Sequence, residues 1–354
     1  MLALQSANAV GASSIILNSR WRQQRLLILC YHGISLDDEH LWNPALYMPL
    51  SLFHQRLKVL RSNRCNVLPL SEGLERLYSS TLPPRSVVLT FDDGYSDFVS
   101  QALPALRHFG FPATVYLTTY YSQLNRPVFD VMSGYLLWKA RGRTLEWPGL
   151  IGRAIALNAA ERASTFAKLK SFARMQRLTG IEKDDILNEL SSRLDIDYNA
   201  LCQRRILCLM TPKELARALQ AGTDIQLHTH RHRIPRERAQ FFREIEENRQ
   251  VISQVSDHRP IHFCYPNGVY QPHISGWLAE LEIRSAVTSE PGLATVQGGR
   301  MRVPRLSDSA SLTMTEFKSW ISGEASLLPR RNPPELNGSP REDEELHRPL
   351  ITLA

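Results

Sequence analysis

No apolar run in the 354-residue chain is long enough to span a bilayer as a helix. The opening stretch, Met1 to Gln24, lacks a basic start before an apolar core. Its weakly apolar residues are broken by Gln5, Ser6 and Asn8, so no cleaved leader is expected and a cytoplasmic location is. Cysteine is scarce: Cys30, Cys65, Cys202, Cys208 and Cys264 are odd in number and contain no Cys-x-x-Cys. That excludes a disulfide framework and gives no spacing for a thiolate zinc site. Cys30 and Cys264 fall in strand-like runs, where a thiol usually acts as a small apolar group. No helix-turn-helix, zinc-finger or base-stacking pattern accompanies the net charge of +7, so nucleic acid is not an expected partner. The charge does suit peripheral association with an anionic membrane surface. From Pro329 onward, prolines and the acidic run Glu342-Asp343-Glu344-Glu345 read as a tail, 326–354, that buries no core.

What is present is an ordinary globular composition, 43% apolar. Short apolar runs alternate with helical patterns. Arg25–Tyr31, Val67–Leu68, Val87–Phe91, Ala113–Leu117, Asp224–Gln226, Ile261–Tyr265 and Ser285–Thr288 read as seven strands. Ser51 and Ser71 are read as helix N-caps, and Thr211-Pro212-Lys213-Glu214 as an N-cap with proline at the first helical position. Phe98–Phe109 reads as one helix, which Pro104 interrupts or starts. Strand-then-helix repetition argues for a parallel, barrel-like sheet in an α/β fold. Residues 121–209 interrupt the pattern with a mainly helical insert, in which fourteen Lys/Arg stand against nine Asp/Glu. Being placed after a strand end, it is expected to cap the pocket, and its charge is expected to favour an extended anionic or lipid-diphosphate-carried glycan.

Val87-Val88-Leu89-Thr90-Phe91-Asp92-Asp93-Gly94-Tyr95 is a buried strand ending in two carboxylates and a glycine that can turn the chain. Ligands bind at such strand ends, and neighbouring residues there point in different directions. His228 and His232, four apart after another strand, share a face if they lie on one turn of helix or a tight helical loop. Two imidazoles and a carboxylate from another strand end are a catalytic-type metal set, which leaves positions for water and substrate.

Thr-Phe-Asp-Asp-Gly-Tyr at 90–95, His-Thr-x-x-His at 228–232 and Tyr-Pro-x-Gly at 265–268 resemble, in order and spacing, the motifs of the polysaccharide deacetylases. This is carbohydrate esterase family four, which includes the nodulation-type chitooligosaccharide deacetylases. The resemblance spans residues 26–322. Val303-Pro304-Arg305 is similar to the ending of members used in exopolysaccharide assembly. The resemblance implies a distorted (β/α)7 TIM-like barrel over residues 25–325 with a helical insert at 121–209, preceded by an extension at 1–24. It implies a metal-dependent hydrolase removing acetyl groups from an N-acetylated polysaccharide or lipid-linked glycan. It makes Asp93, His228 and His232 the ligands of a divalent ion, zinc above all, and Asp92 the base. The Asn267 backbone N–H becomes the oxyanion donor and Tyr265 a wall of the pocket. His32, in a Tyr-His at the end of the first strand, is placed near that pocket with no ligand role.

Two family features are missing. Where many members carry an arginine in the third motif, Phe263 and Cys264 stand, with Arg259 and Arg305 as substitutes. No late Leu-x-His supplies the acid, leaving His262 and His273 by default. Two readings therefore stand beside the deacetylase: a glycan-binding protein on the same fold, and a deacylase of a non-sugar substrate.

Overall fold

The computed structural model describes residues 12–328. They form two compact units, one of residues up to 123 and from 210 onward, the other of residues 124–209. The expected tail lies outside the described residues but for 326–328, as does the first half of the expected extension. The extension's described half is helical at Ala12–Asn18 and Arg20–Gln23. Arg22 there is fully buried and donates to the Ile321 carbonyl at 2.9 Å.

The first unit is built on eight parallel strands: β1 Leu27–Tyr31, β2 Asn66–Val67, β3 Ser86–Phe91, β4 Thr114–Leu117, β5 Asp224–Leu227, β6 His262–Cys264, β7 Ser285–Val287 and β8 Leu306–Ser307. The order across the sheet is β7-β6-β5-β4-β3-β1-β8, and β2 pairs with the start of β3. One short segment touches both edges: Val303 bridges Val287 of β7, and β8 pairs with β1 through Leu29–Leu306 and Cys30–Ser307. The sheet is thereby the distorted (β/α) barrel. The eighth strand was not expected from the sequence, because two paired residues show no hydrophobic period.

Alternation along the strands sorts the core into two layers. Leu27, Leu29, Val87, Leu89 and Phe91 pack with Phe53, Leu57 and Leu60 of helix Leu50–Ser62 and with Leu103 and Leu106 of helix Leu103–Phe109. The intervening residues face inward: Ile28, Val88, Tyr116, Cys264 and Val287 from five strands meet Leu70, Leu74 and Leu77 of helix Leu70–Tyr78. Continuing inward, Cys30, Thr90, Asp92 and Arg305 turn the apolar interior polar toward the carboxyl ends of the strands.

Helix starts differ in part from the sequence reading. Pro49 and Pro69, not Ser51 and Ser71, hold the N-cap positions, and neither makes a side-chain cap bond. Thr211 does cap as expected, in a reciprocal box with Glu214. The expected helix 98–109 begins as a wider π-type turn over Phe98–Ala102 before α-helix Leu103–Phe109.

The second unit holds helices Phe129–Lys139, Ala159–Met175, Gly180–Arg193 and Tyr198–Gln203, with a two-residue antiparallel ladder, Thr144–Leu145 on Ile155–Ala156. Helix Phe129–Lys139 packs on both longer helices. Leu169 of one helix and Leu187, Leu190 and Leu194 at the other form buried positions of this unit.

Candidate active site

Strand β3 delivers the two carboxylates differently. The Asp92 N–H donates to the Tyr31 carbonyl at 2.9 Å, which extends the ladder one residue and keeps Asp92 pointing inward. Asp93 then takes φ +67° and Gly94 φ +84°, so the chain leaves the strand abruptly. A Cβ on Gly94 would lie 2.3 Å from Leu117 Cδ1, so only glycine fits this turn.

Asp92 is 3% exposed and paired with fully buried Arg305. Arg305 reaches Asp92 Oδ1 and Oδ2 at 2.7 Å each, a bidentate bond. Its Nε donates to the Thr288 carbonyl at 3.0 Å, and one terminal nitrogen also donates to Thr90 Oγ1 at 3.0 Å. The Cys30 and Cys264 thiols lie 3.3 and 3.4 Å from Asp92 Oδ2. Burial alone would raise the Asp92 carboxyl, but the Arg305 charge and bonds hold it well below the usual carboxylate range.

The His228–His232 stretch is a bent loop rather than a helical turn, with positive φ at Thr229 and His232. Buried Asn248 organises it. Its Oδ1 accepts the His228 N–H at 3.1 Å, and its Nδ2 donates to the Leu117 carbonyl and Thr119 Oγ1, each at 3.0 Å. The His228 Nδ1 meets the Cys264 carbonyl at 2.9 Å. A carbonyl only accepts, so Nδ1 carries the proton and Nε2 faces the site. The two imidazoles lie 4.8 Å apart between centroids, and Asp93 Oδ1 is 3.3 Å from His228 Nε2 and 3.4 Å from His232 Nε2.

Burial opposes charge on Asp93, but the His232 and His228 imidazoles bring its carboxyl down to about 2. Burial, with help from neighbouring His228 and His32, brings His232 down to about 4, so its imidazole is neutral and a competent ligand. Burial acts the same way on His228, yet Cys264 and Asp93 together raise it. Three donor atoms of Asp93, His228 and His232 lie within 4.8 Å of one another, a set that fits a divalent cation.

The other expected site residues fall in varied places. Asn267 is exposed, with φ +58°, in the tight turn Pro266–Gly268 that follows β6, and its backbone N–H meets no acceptor among the described residues. Tyr265 is fully buried; its hydroxyl donates to the Met301 carbonyl at 2.9 Å and its ring packs on Phe263 and Tyr270. That makes it a core residue rather than the expected pocket wall. His230 is buried and bonds Thr119 Oγ1 at 2.8 Å, apart from the ligand pair. Of the two substitute arginines, Arg305 is at the site, while Arg259 forms an exposed pair with Glu282. The default acids do not qualify. His262 is held between Ser71 and Ser285 hydroxyls at 2.9 and 2.8 Å, with burial taking it down to about 4. His273 is exposed against Trp277. A third imidazole stands beside Asp92: the His32 ring nitrogen lies within 4.8 Å of the Cys30 and Asp92 donor atoms. Asn248 and the two cysteines were not singled out as site residues in the sequence. The cysteines become so through Asp92, 62 and 172 residues away, and Asn248 through Leu117 and Thr119, 131 and 129 residues away, which no local pattern reports.

A parallel barrel whose strand ends gather two carboxylates, two imidazoles and a buried arginine defines a hydrolase-type α/β site. The sequence profile described as "Polysaccharide deacetylase" matches residues 79–153 and 156–286. The chain belongs to that family. A putative polysaccharide deacetylase from Bacillus subtilis (strain 168), YxkH, is 33% identical over 94 residues, which is 26% of this chain and 32% of that relative. The aligned stretch thus covers about a third of that relative. Among solved structures, the Streptococcus pyogenes deacetylase PplD in complex with acetate shares the fold at TM-score 0.54 and 18% identity, covering 82% of this chain and 96% of that one. IcaB from Ammonifex degensii does so at TM-score 0.52 and 15% identity, covering 84% and 97%.

Proposed function

We propose that this chain is a metal-dependent deacetylase that hydrolyses N-acetyl groups on a polysaccharide, with zinc as the ion its donor set favours. The observation carrying this reading is the convergence of Asp93 Oδ1 on both His228 Nε2 and His232 Nε2, beside an ionised Asp92 held by Arg305. Asp93, His228 and His232 would hold the ion; two imidazoles and one carboxylate suit zinc and leave positions for water and substrate. When bound, such an ion lowers the pKa of water and polarises a carbonyl oxygen.

The chain's own groups divide the remaining work. Asp92 takes the proton of the attacking water. Its bond to Arg305 fixes its direction and lowers its proton affinity, so that proton is readily passed on. The Asn267 N–H donates to the oxygen that gains charge as the amide carbonyl is attacked. His32, whose ring nitrogen stands beside Asp92, supplies the proton to the departing amine. Tyr265 positions the turn that carries Asn267. PplD, a deacetylase sharing this fold, was solved with acetate, the product such a hydrolysis would release. The net positive charge of residues 121–209 supports an anionic or lipid-linked glycan, of the kind handled in exopolysaccharide assembly, as the form of the substrate.

The test measures metal per chain after dialysis and acetate release from a panel of N-acetylated glycans. His232→Ala should lose metal. Asp92→Asn should keep metal and lose turnover by ~10² or more. Full metal and full turnover in both variants would sink the reading.

A further inference from the structure

The second unit displays an apolar tip ringed by cations. Helices Ala159–Met175 and Gly180–Arg193 are joined by residues 176–179. Met175 is 70% exposed and Ile181 63% exposed, one on each side of that connection. The turn itself is firmly built. Leu178 N–H donates to the Ala173 carbonyl at 3.0 Å, and Thr179 and Glu182 close a reciprocal cap with bonds of 2.7 and 3.3 Å. Both side chains are therefore presented by fixed backbone.

Charge around them is mostly positive. Arg174 and Arg177 are exposed within the tip, and Lys168 lies two turns back on the Met175 side of its helix. Among the nearby carboxylates, Glu182 is engaged in the cap, Asp184 is paired with Arg126 at 2.8 Å, and Asp185 is exposed. Lys170 is paired with Asp130 at 2.8 Å.

One exposed apolar side chain needs no explanation, but two large ones at a rigid tip among arginines form a surface with two chemistries. A polyanionic glycan would use the arginines and leave Met175 and Ile181 idle. A second copy of the chain would bring Arg174 and Arg177 against themselves, and the tip is far smaller than the ~800 Å² per partner of a stable interface. An anionic bilayer uses both, taking the apolar side chains into the headgroup boundary and the arginines among lipid phosphates. We propose that the tip formed by residues 174–181 enters the headgroup layer of an anionic phospholipid membrane and holds the protein at its surface. This does not depend on the deacetylase reading.

The full chain would be sedimented with vesicles of phosphatidylcholine alone and with added phosphatidylglycerol. Binding is expected only to the anionic vesicles, weakening as salt rises. Met175→Ser with Ile181→Ser should lower partitioning by ~10-fold or more, and Arg174→Gln or Arg177→Gln by ~5-fold each, at unchanged melting temperature. Should the serine variant melt early, Met175→Trp gives a second readout, its emission shifting to the blue on anionic vesicles. No binding to anionic vesicles, binding undiminished in an intact serine variant, or unmoved tryptophan emission would each overturn the proposal.

Discussion

Two buried arginine–aspartate pairs stand at the ends of β3 and β8, the two strands that flank β1, and respond oppositely to pH. Arg305 offers Asp92 two short bonds, and its charge outweighs burial, so Asp92 stays ionised except in strong acid. Arg56, on helix Leu50–Ser62, reaches only Asp308 Oδ1, at 3.1 Å, and also donates to the Leu312 carbonyl. There burial wins over the Arg56 charge and pushes Asp308 up from 3.8 to about 7. A carboxyl whose folded pKa is raised binds its proton more tightly in the native state. Its contribution to stability is complete below about 4 and is lost as pH climbs to about 7. The melting temperature should therefore fall across that window, and Asp308→Asn should flatten the fall; an identical slope in the variant would remove Asp308 as its source. Arg305→Met tests the other pair. Leaving Asp92 buried without its cation should cost ~3–5 kcal/mol in denaturant melts. Metal content should persist while acetate release drops.

At the scale of elements, the imidazole loop depends on one side chain of the neighbouring helix, Arg238–Ser253. Asn248 satisfies the His228 N–H, the Leu117 carbonyl and Thr119 together. Asn248→Leu would strand these groups at a cost of ~1–3 kcal/mol, and should weaken metal retention ~10–100-fold, measured by competition with a chelator. Retention equal to the parent protein would show that the loop holds its shape unaided. The same elements explain what could be read from residues alone. Val87–Phe91 was legible because a strand buried on both faces is apolar throughout, and the carboxylates at its end followed directly. His228 and His232 were legible by spacing, although their shared direction comes from two residues with positive φ rather than from a helix. Leu306–Ser307 was not legible, since two residues cannot show a period. Pro49 and Pro69 displaced the expected serine caps because proline's fixed φ starts a helix without a side-chain acceptor. Whether Arg305 or Arg259 belonged to the site could not be read at all, since it turns on which of them the closing segment carries inward.

For the molecule as a whole, every proposed metal ligand lies within residues 93–232, but the arginine that holds Asp92 is 213 residues beyond it. That arginine arrives on the segment that joins both edges of the sheet, Val287 of β7 on one side and β1 on the other. A chain ending at Arg302 would contain all three ligands and seven of the eight strands. It should nonetheless be opened readily by protease and retain little metal. Full resistance and retention in that truncated protein would mean the barrel stands without its last strand. Chains emerge from the ribosome amino end first. Seen in time rather than space, the order of synthesis therefore keeps Asp92 without its partner until Arg305 is made. For most of its birth the nascent protein carries that carboxylate unmatched, and the segment 303–307 is what completes the pair.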